Sequence, residues 1–196
     1  MSSFVTFTTT VSENVTDKLN TLQLATLPVV TAEQLHGSSI GVTEETASQC
    51  FLGCDGVITA LPNVLLLLRT ADCMPILISH PSGLIGALHA GRRGTQQHIL
   101  AKAMQLIKEK WHLDKDLRIW FGPAICVSCY QINPQTNEHF DLLAENQQQL
   151  ESEIKLAENQ LIISQQCTLE LPEQYHSYRR TGKGVPMNYS GIANLV

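Results

Sequence analysis

Positive charge is scarce in this sequence: 13 Lys and Arg stand against 18 Asp and Glu, a formal net charge of -5 over 196 residues. A partner of nucleic acid or anionic membrane would favour a basic face, so neither is expected. Long apolar runs are absent too. The stretch Val64 to Leu68 falls far short of the roughly 20 residues that cross a bilayer. The first residues, from Met1 to Thr6, carry no basic n-region and no apolar h-region, from which a cytoplasmic location is expected. In that reducing compartment the six cysteines (Cys50, Cys54, Cys73, Cys126, Cys129, Cys167) are ligands, nucleophiles or core residues rather than a disulfide framework. There is no internal repeat, low-complexity block or linker, and a single domain over residues 1–196 is expected.

What remains is an ordinary globular composition, 43% hydrophobic and 16% charged. Its patterning predicts an edge strand over Phe4 to Thr9, an extended Pro28 to Leu35, and strands over Gly56 to Thr59 and Asn63 to Thr70. Pro75 to Ser79 and Leu84 to His89 read as a hairpin turned at Pro81-Ser82-Gly83. Thr95 to His112 places Ile99, Leu100, Ala103, Met104, Ile107 and Trp111 on one helical stripe. Leu117 to Gly122 is a further strand, and Phe140 onward to Leu156 a second helix whose exposed face holds Gln147-Gln148-Gln149. Leu161 to Ile163 and Cys167 to Leu169 read as short late strands. Strands on both sides of the first strong helix argue for mixed sheets flanked by helices, an α/β (α+β) class, over a βαβ alternation.

Three segments carry the chemistry: Leu35-His36-Gly37, Thr70-Ala71-Asp72-Cys73-Met74-Pro75 and His89-Ala90-Gly91-Arg92-Arg93-Gly94. Cys73 and His89 fall at the open end of the hairpin, where antiparallel neighbours lie about 5 Å apart. With His36 they make two imidazoles and a thiolate, a set that zinc or copper takes, leaving one tetrahedral position for water or substrate. Taken singly, His36 is a polar strand end and Cys73 a core thiol; it is their combination with His89 that points to a metal. Asp72 is a candidate orienter or general base. Arg92, Arg93 and Thr95 precede the helix, where an anion could bind, or where Thr95 simply caps a solvated turn. Cys126-Val127-Ser128-Cys129 has CxxC spacing; Cys50 and Cys54 could complete a four-cysteine zinc site with it. Alternatively the loop from Gly122 is an active-site wall, with Cys129 a substrate contact. Tyr175 to Arg180 offers Arg179 and Arg180 as anion-binding cations or as an exposed strand with snorkelling arginines. His80, His98, His112 and His139 show no ligand pattern.

The segments Gln34-Leu35-His36-Gly37, Cys54-Asp55-Gly56-Val57-Ile58-Thr59, Thr70 to Ile76, His89 to Gly94, Gly122 to Tyr130 and Ser177-Tyr178-Arg179-Arg180 resemble, in order, the bacterial laccase-domain proteins. These are also called multicopper polyphenol oxidases and peptidoglycan editing factors, and the likeness covers about residues 30 to 187. The resemblance implies α/β/β/α layers and zinc on His36, Cys73 and His89. It also implies a small-molecule substrate, either a purine nucleoside with phosphate or a cell-wall precursor. The activities attached to the family are phosphorolysis of purine nucleosides and methylthioadenosine, adenosine deamination, amide hydrolysis in precursor editing, and copper-dependent phenol oxidation. In that frame Cys73, Asp72 and Arg93 are catalytic candidates, and Arg92, Arg93, Thr95, Cys129, Arg179 and Arg180 bind substrate. Zinc-dependent nucleoside phosphorolysis or deamination leads, with the amidase second and Cys73 as its nucleophile. Multicopper oxidation is weakest, because the seven histidines include no His-x-His pair. Arg92 stands where the family has tryptophan, Gly184-Val185-Pro186-Met187 replaces Gly-Arg-Met, and the segment Thr-Arg-x-Gly-Gly-Val-Ser has no counterpart.

Overall fold

The computed structural model describes residues 3–157 and 159–196. The chain opens with β1 (Ser3–Thr8), α1 (Val15–Thr21), β2 (Val29–Ala32), β3 (Ile40–Val42), β4 (Gln49–Phe51), β5 (Gly56–Thr59) and β6 (Leu65–Thr70). It continues through the hairpin β7 (Met74–Ser79) and β8 (Ile85–Ala90), then α2 (Arg92–Gln96) and α3 (Ile99–Trp111). After β9 (Arg118–Phe121) come a ribbon of β10 (Gln131–Asn133) and β11 (Glu138–His139), α4 (Leu142–Glu153), β12 (Leu161–Ile163), α5 (Tyr178–Thr181) and β13 (Asn188–Leu195).

Two sheets result, with orders β1-β13-β6-β2-β4 and β12-β9-β7-β8-β5-β3. Both mix parallel and antiparallel pairs. In β7 and β8 every residue is buried, because both faces are covered. Strand alternation then sends neighbours to different cores. Leu77, Ile85 and Ala87 meet Val30, Leu66 and Leu68 of the first sheet, while Ile76, Ile78 and Leu88 meet Leu100, Ala103, Met104 and Ile107 of α3. On the outer face of the five-stranded sheet, Phe7, Leu65 and Ala193 pack with Leu19 of α1 and with Leu22 and Leu24 just beyond it. The layers are therefore α/β/β/α.

The strong helix departs from its expected start. His98 adopts a left-handed backbone (φ 61°) and separates α2 from α3, so Thr95 lies in the short helix before it. Thr95 is fully buried; its Oγ1 accepts from Asn146 Nδ2 at 3.0 Å and its carbonyl from Gln149 Nε2 at 2.7 Å. Those contacts also correct the reading of the glutamine run: Gln149 is buried and ties α4 to α2. Cys167 to Leu169 does not extend as a strand. It forms one bridge, Cys167 with Ala124, and the carbonyls of Thr168 and Leu169 accept from Arg180 Nη1 instead of a neighbouring strand. Tyr178–Thr181 is a helical turn, not a strand.

Candidate metal centre

Strand register delivers the first two ligands. Pro75 pairs with His89 and Met74 with Ala90, which puts Cys73 one step beyond the pair at the hairpin's open end. The third comes from the turn after β2, where Gln34 (φ 66°) and His36 (φ 64°) both take left-handed backbone. Such conformations cost about 1–3 kcal/mol and persist where the surroundings impose them. Asp55 imposes this one. Its carboxylate, 0% exposed, accepts from the backbone N–H of Leu35 (3.1 Å), His36 (2.8 Å) and Gly37 (2.7 Å). It accepts as well from Nδ1 of His89 at 2.8 Å, which turns the other ring nitrogen of His89 towards Cys73.

The donor atoms of His36, Cys73 and His89 all lie within 4.8 Å of one another, and the two rings meet edge to face with centroids 4.9 Å apart. A Cβ on Gly91 would stand 2.8 Å from Cys73 Sγ and 3.1 Å from His36 Cδ2, so only glycine leaves room for this approach. A Cβ on Gly94 would stand 2.5 Å from the carbonyl oxygen of Gly37, which lets α2 press against the His36 turn. Burial opposes the charge on each group, yet the charges support one another. Burial raises the Cys73 thiol, but hydrogen bonds and charge from His36 and His89 bring it from its ordinary 9.0 down to about 7. His89, 3% exposed, resists protonation through burial, but Asp55 and Cys73 lift it to about 9. Burial pushes Asp55 up, and His89 with the turn N–H groups more than reverses it. Two imidazoles, one thiolate and an outer carboxylate on Nδ1 fit a zinc ion with an open position.

These side chains form the floor of a cavity of about 890 Å³ whose walls carry Arg69, Arg92, Arg93, Arg179 and Tyr130. The Arg92 guanidinium makes no hydrogen bond among the described residues. Arg93 Nη2 donates to the carbonyl of Leu35 at 3.1 Å. Arg179 donates to the carbonyl of Gln131 and its guanidinium lies over Tyr130, 5.6 Å from the ring centroid.

Several expected roles change. Asp72 (φ 90°, 8% exposed) lines the cavity, but its oxygens accept from Thr168 Oγ1 (2.7 Å) and the Arg179 N–H (2.6 Å), not from either imidazole. The carboxylate that orients the imidazole is Asp55. Thr95, Cys129 and Arg180 do not line the cavity. The guanidinium of Arg180 is spent on the carbonyls of Thr168, Leu169 and Tyr175. Cys129 gathers with Cys126, and their partners are Cys167 and Glu170 rather than Cys50 and Cys54. Asp55, Tyr130 and Arg69 were missed as site residues. A carboxylate directly before the fully buried β5 was the available signal for Asp55.

Layered sheets with His36, Cys73 and His89 grouped beneath an arginine-walled cavity are what fold and site present together. A family profile described as multi-copper polyphenol oxidoreductase laccase matches residues 7–191, and the chain belongs to that family. It is 34% identical over 108 residues to a purine nucleoside phosphorylase of Campylobacter jejuni, a match covering 54% of this chain and 47% of that protein. To a purine nucleoside phosphorylase of Aquifex aeolicus it is 35% identical over 136 residues, 64% of each chain. The chain spans about half the length of several curated relatives it matches. The fold is that of YlmD from Geobacillus stearothermophilus, at TM-score 0.84 and 24% identity over 92% of this chain and 78% of that one. No helix among the described residues is long and apolar enough to cross a membrane.

Proposed function

We propose that this chain is a zinc-dependent enzyme that cleaves purine nucleosides by phosphorolysis. The observation that carries the reading is the convergence of His36, Cys73 and His89 on the floor of a cavity walled by four arginines. Zinc held by His36, Cys73 and His89 would supply a Lewis acid to the reaction. The arginines hold the phosphate dianion by charge-assisted hydrogen bonds, Arg92 with its whole guanidinium to offer and Arg179 fixed against Tyr130. A phosphate oxygen bonds to the ribose carbon as the carbon–nitrogen bond breaks, and the electron pair leaves with the purine. Asp55 holds His89 and the His36 turn throughout, and Asp72 holds the Arg179 backbone against the cavity. Relatives that are purine nucleoside phosphorylases by name support the same substrate class. Adenosine deamination and methylthioadenosine phosphorolysis are further activities the same site can host.

A second reading has its own support: the lowered Cys73 thiol, the raised His89 and the Asp55 contact to Nδ1 form a Cys-His-Asp line. That arrangement suits a nucleophile in amide hydrolysis of a cell-wall precursor. Release of adenine from adenosine that requires both phosphate and zinc supports phosphorolysis. Zinc-independent amide cleavage abolished by thiol alkylation supports the amidase.

A further inference from the structure

The metal centre leaves unused a second group of soft donors. Sγ of Cys126, Cys129 and Cys167 and a carboxylate oxygen of Glu170 all lie within 4.8 Å of one another. A tetrahedron of zinc–sulfur bonds of about 2.3 Å has edges of about 3.8 Å, so a small contraction closes the set. The local backbone is built for it. The N–H groups of Cys129 and Tyr130 both donate to the carbonyl of Cys126, at 3.1 and 3.0 Å, bending the CxxC segment into a knuckle. The Cys126 N–H points at Cys167 Sγ from 3.3 Å, and the Cys129 thiol donates to Glu170 Oε1 at 3.5 Å. A parallel bridge from Ala124 to Cys167 and the Thr168 N–H to the Ala124 carbonyl (3.1 Å) fix the two segments side by side.

We propose that Cys126, Cys129, Cys167 and Glu170 form a second, structural zinc site separate from the His36–Cys73–His89 centre. Three thiolates and a carboxylate select a soft or borderline divalent ion and fill all four positions, which is the closed pattern of a structural site. The Cys126 N–H, aimed at Cys167 Sγ, offsets part of the negative charge of the ligand set. The site clamps the segment that leads into the cavity wall at Tyr130 to the segment that braces Asp72 from behind. Tyr130 follows Cys129 directly, and Thr168, which follows Cys167, donates to Asp72 beside Cys73. A disulfide between Cys126 and Cys129 would leave Cys167 and Glu170 without a purpose in the cluster.

The test is zinc content of protein purified under reducing conditions without chelator, for the wild type, His36→Ala, Cys167→Ser and Glu170→Gln. Two zinc ions per chain are expected in the wild type and one in His36→Ala. Cys167→Ser should keep one, and Glu170→Gln should lose its second zinc to chelator sooner than the wild type. Because Cys167 is buried at 5% exposure and its variant can misfold, wild-type alkylation mapped by mass spectrometry provides the second readout. With zinc, Cys126 and Cys129 should label about tenfold or more slowly than after chelation, while exposed Cys50 labels alike in both. Labelling of Cys126 and Cys129 that ignores zinc, or a Cys126–Cys129 disulfide in the reduced preparation, overturns the proposal.

Discussion

Asp55 shows how one buried carboxylate can set the geometry of a candidate metal site. It accepts three turn N–H groups and His89 Nδ1, so it fixes two ligands at once. Asp55→Asn keeps the size but loses the charge and an acceptor position, and zinc affinity should fall about 10–100-fold, measured by competition with a chromophoric chelator. Unchanged affinity would mean the turn holds itself. Cys73 and His89 give a pH-dependent signature in the zinc-free protein. With its folded value lowered to about 7 by His36 and His89, the Cys73 thiolate forms at lower pH than an ordinary thiol. Its alkylation rate should therefore rise through about pH 7, and His89→Ala should move that midpoint upward. For Arg92, a hydrogen bond to a charged group contributes about 1.5–3 kcal/mol, so Arg92→Ala should raise the KM for phosphate by about 10–100-fold. The grouping of His36, Cys73 and His89 was legible in the sequence because each member stands in a distinctive local segment. Asp55 was not, because its role exists only where β5, the His36 turn and β8 meet.

At the scale of elements, the β7–β8 hairpin and α3 place the site, and both were readable. The hairpin announces itself through Pro81-Ser82-Gly83 between apolar runs, and α3 through its stripe of Ile99, Leu100, Ala103, Met104 and Ile107. What could not be read was pairing between distant segments. β13, with Asn188, Gly191 and Asn194 breaking its apolar pattern, is recognisable only from β1, some 180 residues earlier, and from β6. The Cys167 segment is held in the same way by side chains from elsewhere. Two outcomes follow from packing. Leu100→Ala, at a fully buried position between α3 and the six-stranded sheet, should cost about 2–5 kcal/mol in denaturant unfolding. Gly94→Ala should cost about 1–3 kcal/mol by driving a methyl into the Gly37 carbonyl, and should weaken zinc binding although it meets no ligand side chain. Wild-type zinc affinity in Gly94→Ala would show that α2 does not brace the His36 turn.

Over the whole molecule, charge is distributed against the average. The chain carries -5 net, yet the cavity gathers Arg69, Arg92, Arg93 and Arg179 around the donor atoms of His36, Cys73 and His89. Concentrated positive potential in a cleft draws anionic substrates and is weakened by salt. This arrangement suits phosphate better than it suits the neutral phenol of an oxidase substrate. The cavity wall runs from Glu33 to Met187, so the site is assembled from nearly the whole chain. The most direct measurement is product chromatography of adenosine incubated with phosphate and zinc-replete protein, for the wild type and for His36→Ala, Cys73→Ala and His89→Ala. Phosphate-dependent release of adenine by the wild type, lost in all three variants together with one zinc per chain, is the expected result. Intact adenosine in the wild-type reaction with that zinc in place, or full activity in His89→Ala, would contradict the proposed function.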